Sequence, residues 1–310
     1  MQPVTRRKPF PIHIVLFLLP AAVIYTLFMV YPLVDSLRLS FFNQNVPGDP
    51  VFVGLANFQT LFGDPSWSSH FWNALNNNFV FFSIHMVVQN PVALFLATLL
   101  TVKRLRGRAI YRTLIFAPTT LSVVIIGFIW SLILSPSWGI FNGLLQALGF
   151  GKNAMPPLLG LAGTSLITVS LMSVWQYIGL PMVLFMAALL GIPDELMEAA
   201  SVDGASPWEV FWRIKLPLLL PTIGIVGVLT FVGNFNAFDL IFATQGATGE
   251  PNFGTDILGT FFYRTFYGIQ LQPGDPTMGT TIASVMFLII LAGVLLYLFG
   301  WQRRIARMQG

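Results

Sequence analysis

Long apolar runs alternate with short polar breaks along this chain, and six of the runs hold enough consecutive nonpolar residues to cross a bilayer as helices. They fall at 12 to 34, 74 to 101, 113 to 135, 162 to 190, 218 to 242 and 279 to 301, each near or above the roughly 20 residues that a hydrocarbon core requires. The rest divides into an N-terminal segment 1 to 11, a longer segment 35 to 73, a polar loop 191 to 217 and a tail 302 to 310. Residues 74 to 301 form one unit around the last five runs. Arg6, Arg7 and Lys8 precede the first run as they would in a signal peptide. That run exceeds the roughly 7 to 15 residues of a cleavable apolar region, so its retention is expected. The pattern predicts an all-α integral membrane protein with six transmembrane helices.

The loop at 191 to 217 carries the most local information. Glu198-Ala-Ala-Ser-Val-Asp203-Gly204-Ala-Ser-Pro-Trp-Glu-Val-Phe-Trp-Arg-Ile214-Lys-Leu216-Pro217 reads as two short helices hinged at a glycine. Pro193 suits a first turn, and Asp194 and Glu195 offset the positive end of the helix dipole, which predicts a helix over 194 to 202. Gly204 supplies the left-handed conformation that ends it. Ser206-Pro207-Trp208-Glu209 then offers an N-cap, a proline at the first position and a capping-box glutamate at the third. The second helix is expected to align Val210, Phe211 and Ile214 on one face. It should stop at Leu216-Pro217, because a proline disfavours helical geometry in the residue before it.

Composition narrows the class. Of 310 residues 55% are hydrophobic and only 9% charged, too few charges to cover a water-soluble surface. There is no cysteine, and His13, His70 and His85 have no ligand spacing, so no metal site is expected. None of the four lysines (Lys8, Lys103, Lys152, Lys215) follows the spaced glycines of a phosphate-cradling loop. Energy for any active process would come from another chain.

Charge gives an orientation. With six spans, Arg6, Arg7, Lys8, Lys103, Arg104, Arg106, Arg108, Arg112, Arg213, Lys215, Arg303, Arg304 and Arg307 share one side, thirteen of the sixteen basic residues. Lys and Arg collect on the cytoplasmic side, so both termini and the 191 to 217 loop are expected there. Each cluster abuts a span, which fits topology and contact with lipid and gives no reason to expect nucleic acid. On the other side, residues 35 to 73 and 243 to 278 interleave Pro and Gly with aromatics such as Phe52, Trp67 and Tyr263. They are expected to be ordered and to pack on one another or on a partner.

Within the fifth run, Thr230 and Asn234 lie four apart and share a helical face, with Asn236 and Asp239 following and Phe231, Phe235 and Phe238 between. Amides and hydroxyls among aromatic rings suit a sugar in a cavity. They equally suit hydrogen bonds between membrane helices. His85, Gln89 and Asn90 read as packing groups, and Asn90-Pro91 is expected to kink its helix.

The loop wording, Glu198-Ala-Ala, Asp203-Gly204-Ala and Ile214-x-Leu216-Pro217, resembles the signature of the membrane permeases of bacterial binding-protein-dependent ABC importers. Phe52-Val-Gly54-Leu-Ala-Asn57-Phe58, Phe71-Trp72-Asn73-Ala74-Leu75-Asn76-Asn77, Gly179-Leu-Pro181 and Asn234-Phe235-Asn236 are similar to the sugar branch, the maltose and glycerol-phosphate type. Asn78, where that family usually has Thr, and Thr244-Gln245-Gly246-Ala247, where it often has a Gly-Gly-Pro turn, depart from the pattern.

The resemblance implies a type I importer permease fold and a non-catalytic subunit with no cofactor of its own. ATP and magnesium would sit on a dimer of ATPase subunits. Glu198, Asp203 and Gly204 would be the coupling residues, and Ala199, Ala200, Val202, Phe211 and Ile214 the anchors docked in an ATPase groove. It also implies a second permease, favoured as a different chain, and an extracytoplasmic solute-binding protein. Sugar-contacting positions would be Thr230, Asn234 and Ala237 with Trp175, Ile178, Gly179 and Met182; Ala237 replaces an amide. The solute would be a sugar, oligosaccharide or polyol, carried across the bacterial inner membrane. An ion-coupled secondary transporter, a membrane enzyme and a scaffolding subunit are the competing classes. Nearly all acidic residues lie in loops, and no histidine has an acidic neighbour at useful spacing.

Overall fold

A computed structural model describes residues 12–102, 105–151, 155–269 and 272–303. Helix α1 starts as Ile12–Tyr25 and continues to the end of Tyr31–Leu39. After β1 (Phe42–Asn43) and β2 (Val51–Phe52), paired antiparallel with Phe42 opposite Phe52, α2 (Ala56–Gly63) leads into α3 (Pro65–Leu100). Next come α4 (Arg108–Phe116), α5 (Val123–Ile133), α6 (Ile140–Ala147), α7 (Ala162–Tyr177) and α8 (Gly179–Leu190). The chain ends with α9 (Asp194–Val202), α10 (Pro207–Phe235), α11 (Asp239–Gln245), α12 (Leu258–Tyr267), a hairpin of β3 (Gly268–Ile269) and β4 (Gln272–Pro273), and α13 (Pro276–Gln302). Of the basic residues used above to orient the chain, Arg6, Arg7, Lys8, Lys103, Arg104, Lys152, Arg304 and Arg307 lie outside the described residues.

Among the described residues, four helices are long and apolar enough to cross a membrane: α1, α3, α10 and α13. Two bent pairs bring the possible number to six. The run expected as one helix over 113 to 135 is α4 and α5, which meet at 101°. Pro118 tightens the end of α4 into a 3-10 turn at Ala117–Thr120, and Leu121 is extended (ψ 150°), so the helix restarts only after Ser122. The run over 162 to 190 bends by 45° between α7 and α8. Pro181 has no N–H to give the Tyr177 carbonyl, so the helical ladder is interrupted there.

Four other expected boundaries move. α1 runs on to Leu39, and α3 begins at Pro65, nine residues ahead of 74. Asp64 caps α3 by accepting from the Ser66 N–H at 2.8 Å, with Pro65 at the first position. The helix after Ser206 does not stop at Leu216-Pro217; it is continuous to Phe235. The chain breaks instead at Asn236–Phe238, and residues 239 to 242 belong to the separate helix α11.

Helices survive their prolines by widening. Tyr31, Asn90 and Leu216 each donate their N–H five residues back, to the carbonyls of Thr26, His85 and Phe211, and each immediately precedes a proline: Pro32, Pro91 and Pro217. A π-turn relieves the clash between the proline ring and the preceding turn, so helical direction is kept where a regular ladder would fail.

Small residues draw the helices together. Ala93 and Ala97 of α3 let α8 approach, and they pack with Met182, Phe185, Met186 and Leu189 in one core that also takes Leu219 and Val226 of α10. Toward the opposite end, Phe71 and Ala74 of α3 pack with Phe235, Leu258, Phe261 and Ile282. In contrast, α1 buries nothing along its apolar window and touches the rest chiefly where Tyr31–Leu39 meets α13.

Candidate functional site

The hairpin of α9 and the start of α10 is held by local hydrogen bonds. Gly204 adopts φ +76°, the Ala205 N–H reaches the Ala200 carbonyl at 2.9 Å and the Gly204 N–H reaches Ser201 at 3.2 Å, which closes α9 in a Schellman arrangement. Ser206 then accepts from the Glu209 N–H at 3.3 Å while its own N–H donates to Glu209 Oε2 at 3.0 Å, completing a capping box. Helix 194 to 202, the left-handed glycine and the capping box are all as the residues predict.

The coupling candidates divide by exposure. Glu198, Ala199, Asp203, Gly204 and Pro217 are exposed, Phe211, Ile214 and Leu216 are half-buried, and Ala200 is buried within the chain itself. Ala200 is therefore not available to a partner. The most exposed large apolar groups are Val202 (87%) and Trp208 (70%), followed by Trp212 and Leu196, and the two indoles meet edge to face at 5.4 Å. Neither tryptophan was expected as an anchor, although their spacing of four along a helix was the available signal.

From this hairpin α10 runs 29 residues without a break to the wall of a cavity of about 360 Å³, a size suited to a small ligand. Thr230, Asn234 and Ala237 line it, as the sequence suggested. The other four candidates do not. Trp175 is 43% exposed against Trp130, Gly179 presses on the Phe116 backbone, Met182 is wholly buried in the α3–α8 core, and Ile178 forms the bend. Ser173, Tyr177, Leu180, Pro181 and Leu184 take their place. They form one helical face, and the expected residues belong to the neighbouring one.

Facing α10 across the cavity is α3, with Phe81, His85 and Gln89. His85 Nδ1 lies 2.8 Å from the Phe81 carbonyl and Nε2 lies 3.0 Å from Ser173 Oγ. A carbonyl only accepts, so Nδ1 carries the proton it donates to Phe81, and Nε2 shares a hydrogen bond with the serine hydroxyl. Asn90 Nδ2 donates to Thr230 Oγ1 at 3.2 Å, and Asn234 Nδ2 donates to the Thr230 carbonyl at 2.7 Å. Gln89 Oε1 and Asn234 Oδ1 are buried with no partner. Each such acceptor costs about 1–3 kcal/mol until something donates to it. His85 thus ties α3 to α7 as a packing group would, and both it and Gln89 also border the cavity.

A second cavity of about 1100 Å³ opens at the far end, bordered by Trp67, His70, Gln245, Glu250, Arg264 and Asp275. Beneath it Arg264 pairs with the wholly buried Asp256 and lies over the rings of Phe253 and Phe261, at 5.1 and 4.9 Å from their centroids. Burial pushes the Asp256 carboxyl above its usual range, opposed by the hydrogen bond and charge of Arg264. Among the described residues no group of three or more His, Cys, Asp or Glu could hold a metal ion.

Known proteins agree with this architecture. The probable ABC transporter permease protein YurN of Bacillus subtilis is 32% identical, covering 89% of this chain and 91% of that protein. The probable starch degradation products transport system permease protein AmyD of Thermoanaerobacterium thermosulfurigenes is 29% identical over 93% and 94%. A chain of a bacterial ABC transporter involved in import of the acidic polysaccharide alginate superposes with a TM-score of 0.76, covering 96% of each chain at 23% identity, and so shares the type I importer permease fold. Residues 89–307 match the family described as the binding-protein-dependent transport system inner membrane component. With its capped hairpin, its apolar helices and this match over most of its length, the chain is a multi-pass membrane permease of the binding-protein-dependent transport family.

Proposed function

We propose that this permease is one of two membrane subunits of an ABC importer that carries a carbohydrate, whether sugar, oligosaccharide or polyol, across the bacterial inner membrane. The carrying observation is α10, one continuous helix from the capped hairpin to the cavity face of Thr230 and Asn234. A displacement of the hairpin must reach the cavity wall. Free acceptors at Gln89 and Asn234 beside Phe81 and Phe238 suit hydroxyls and C–H faces of a sugar.

In this reading each bent pair makes one crossing, giving six spans, with the hairpin and both termini in the cytoplasm. ATP and magnesium belong to two partner ATPase subunits, which grip Val202, Trp208 and Trp212, with Glu198 and Asp203 at the rim and Gly204 fixing the angle. Phe211, Ile214, Leu216 and Pro217 hold the second arm in line with α10. A second permease, a different chain, covers α1 and the exposed face of Trp175. A solute-binding protein docks on segments 35 to 73 and 243 to 278. Closure of the ATPases moves α10 against α3 and α7 and switches the cavity between the two sides. Solute crosses unmodified, and the chain itself performs no catalysis.

The test is uptake of labelled maltotriose into proteoliposomes holding the complete complex with its binding protein. Uptake that requires ATP is expected. Uptake that persists without ATP and collapses with an ion gradient would replace this reading with ion-coupled transport.

A further inference from the structure

Acidic residues are unequally placed in this chain. Five of the twelve lie on the hairpin, between Asp194 and Glu209. The other seven, Asp35, Asp49, Asp64, Glu250, Asp256 and Asp275 together with Asp239, lie toward the opposite end of α10, where the basic residues among those described are Arg38 and Arg264. Carboxylates therefore outnumber bases at that end among the described residues, although the whole chain is +4. Both described bases are already engaged: Arg38 with Asp35 at 3.0 Å and Arg264 with Asp256. The wide outer cavity is bordered by Glu250 and Asp275. Beyond it, Asp239 lines the smaller cavity, and no lysine or arginine lines it among the described residues.

That small cavity also shows what it lacks. Gln89 and Asn234 are more than nine-tenths buried in its wall, and Gln89 Oε1 and Asn234 Oδ1 have no donor. A hydroxyl supplies a donor to such atoms; an ionised carboxylate supplies none. An anion brought into a site of low polarity needs a cation or several donors to replace its hydration, and here it would meet a carboxylate instead. Asp239 is exposed to solvent on the cavity wall, so its repulsion is screened and disfavours the anion by roughly 3- to 10-fold.

Resting on the reading of this cavity as the solute path, we propose that the permease admits uncharged sugars and rejects anionic ones such as uronates, with Asp239 as a specificity-determining residue. The fold is shared with an importer of an acidic polysaccharide, so the fold does not set the charge of the cargo. The carboxylate at the cavity wall does.

The test measures binding of two labelled trisaccharides, neutral maltotriose and anionic trigalacturonate, to the complete complex in nanodiscs, with ATPase activity reporting an intact assembly. Maltotriose is expected to bind at least about 3-fold more tightly. Asp239→Asn should shrink that ratio, whereas Asp64→Asn, remote from the cavity, should leave it unchanged. Equal binding of the two sugars, or an unchanged ratio in Asp239→Asn, would overturn the inference while the carbohydrate reading stands. If neither trisaccharide binds to an active complex, this inference falls, while import of a smaller sugar or a polyol is judged by the ATP-dependence of uptake.

Discussion

Asn78 donates through Nδ2 to the carbonyl of Asn234 at 2.9 Å, across a wholly buried contact between α3 and the last turn of α10. Its Oδ1 accepts from the Leu258 N–H at 2.8 Å, so one amide joins two helices and the start of a third. The departure of this position from the threonine of the sugar branch thus has a physical account: a threonine hydroxyl is too short to serve both partners.

Asn78→Ala should leave the buried Leu258 N–H without a partner and remove one donor from the Asn234 carbonyl, which keeps the Ala237 N–H at 3.3 Å, a cost of about 1–3 kcal/mol. A lowered midpoint of thermal unfolding in detergent is expected. An unchanged midpoint would show that water replaces the amide.

Gly204 separates two effects that a bulky substitution would confuse. A Cβ built on it meets nothing within 4 Å, so only its φ of +76° restricts the position. Gly204→Asn should retain most ATP-dependent uptake, because Asn tolerates left-handed geometry, while Gly204→Val should lose about 1–2 kcal/mol in the hairpin and most coupling. Both should insert in the membrane at wild-type levels, read by immunoblot.

Gly179 tests the reassignment of the α7–α8 face. A Cβ there would sit 2.8 Å from Phe116 Cα and 3.0 Å from the Ile115 carbonyl, backbone atoms that cannot step aside. Gly179→Ala should therefore destabilise by about 1–3 kcal/mol without changing the relative affinity for different sugars. A selectivity change with no loss of stability would restore Gly179 to the solute path.

Arg264 and Asp256 give a dependence on pH. Arg264→Gln strands a wholly buried carboxylate, a change worth about 3–5 kcal/mol when charged. Burial already raises the Asp256 pKa above 3.8. A group with a raised folded pKa contributes stability that is present below its unfolded value and lost as pH rises through the folded one. The variant should thus unfold at a higher temperature in acid than at neutral pH. The opposite slope would mean that the carboxylate finds another partner.

Much of the hairpin was legible because its signals are local: Gly204, Ser206 and Glu209 act on neighbours within five residues. The existence of the apolar helices was legible for a similar reason, since length and composition suffice. What was not legible depended on rotation and on distant partners. Tyr177 and Ser173 line the cavity, and Trp175 does not, because Val169 and Met172 pack with Phe81 and Ser173 bonds to His85, which sets the roll of α7. Nor could local rules foresee that Leu216-Pro217 would continue as helix, since proline chemistry predicts a stop and a single π-turn at Phe211 cancels it. Asn73 and Asn77, both donating to the Phe253 carbonyl, bind an outer loop 176 to 180 residues away.

The π-turn ahead of Pro217 makes a crank of what would otherwise be two loosely joined pieces. Its 29 residues reach about 43 Å at 1.5 Å per residue, so a tilt of roughly 5° carries the tip about 4 Å. A stroke of that size is comparable to a sugar hydroxyl losing or gaining its hydrogen-bond partner, and it requires no bending of the shaft itself, only compliance at Gly204 and at the Asn236–Phe238 joint.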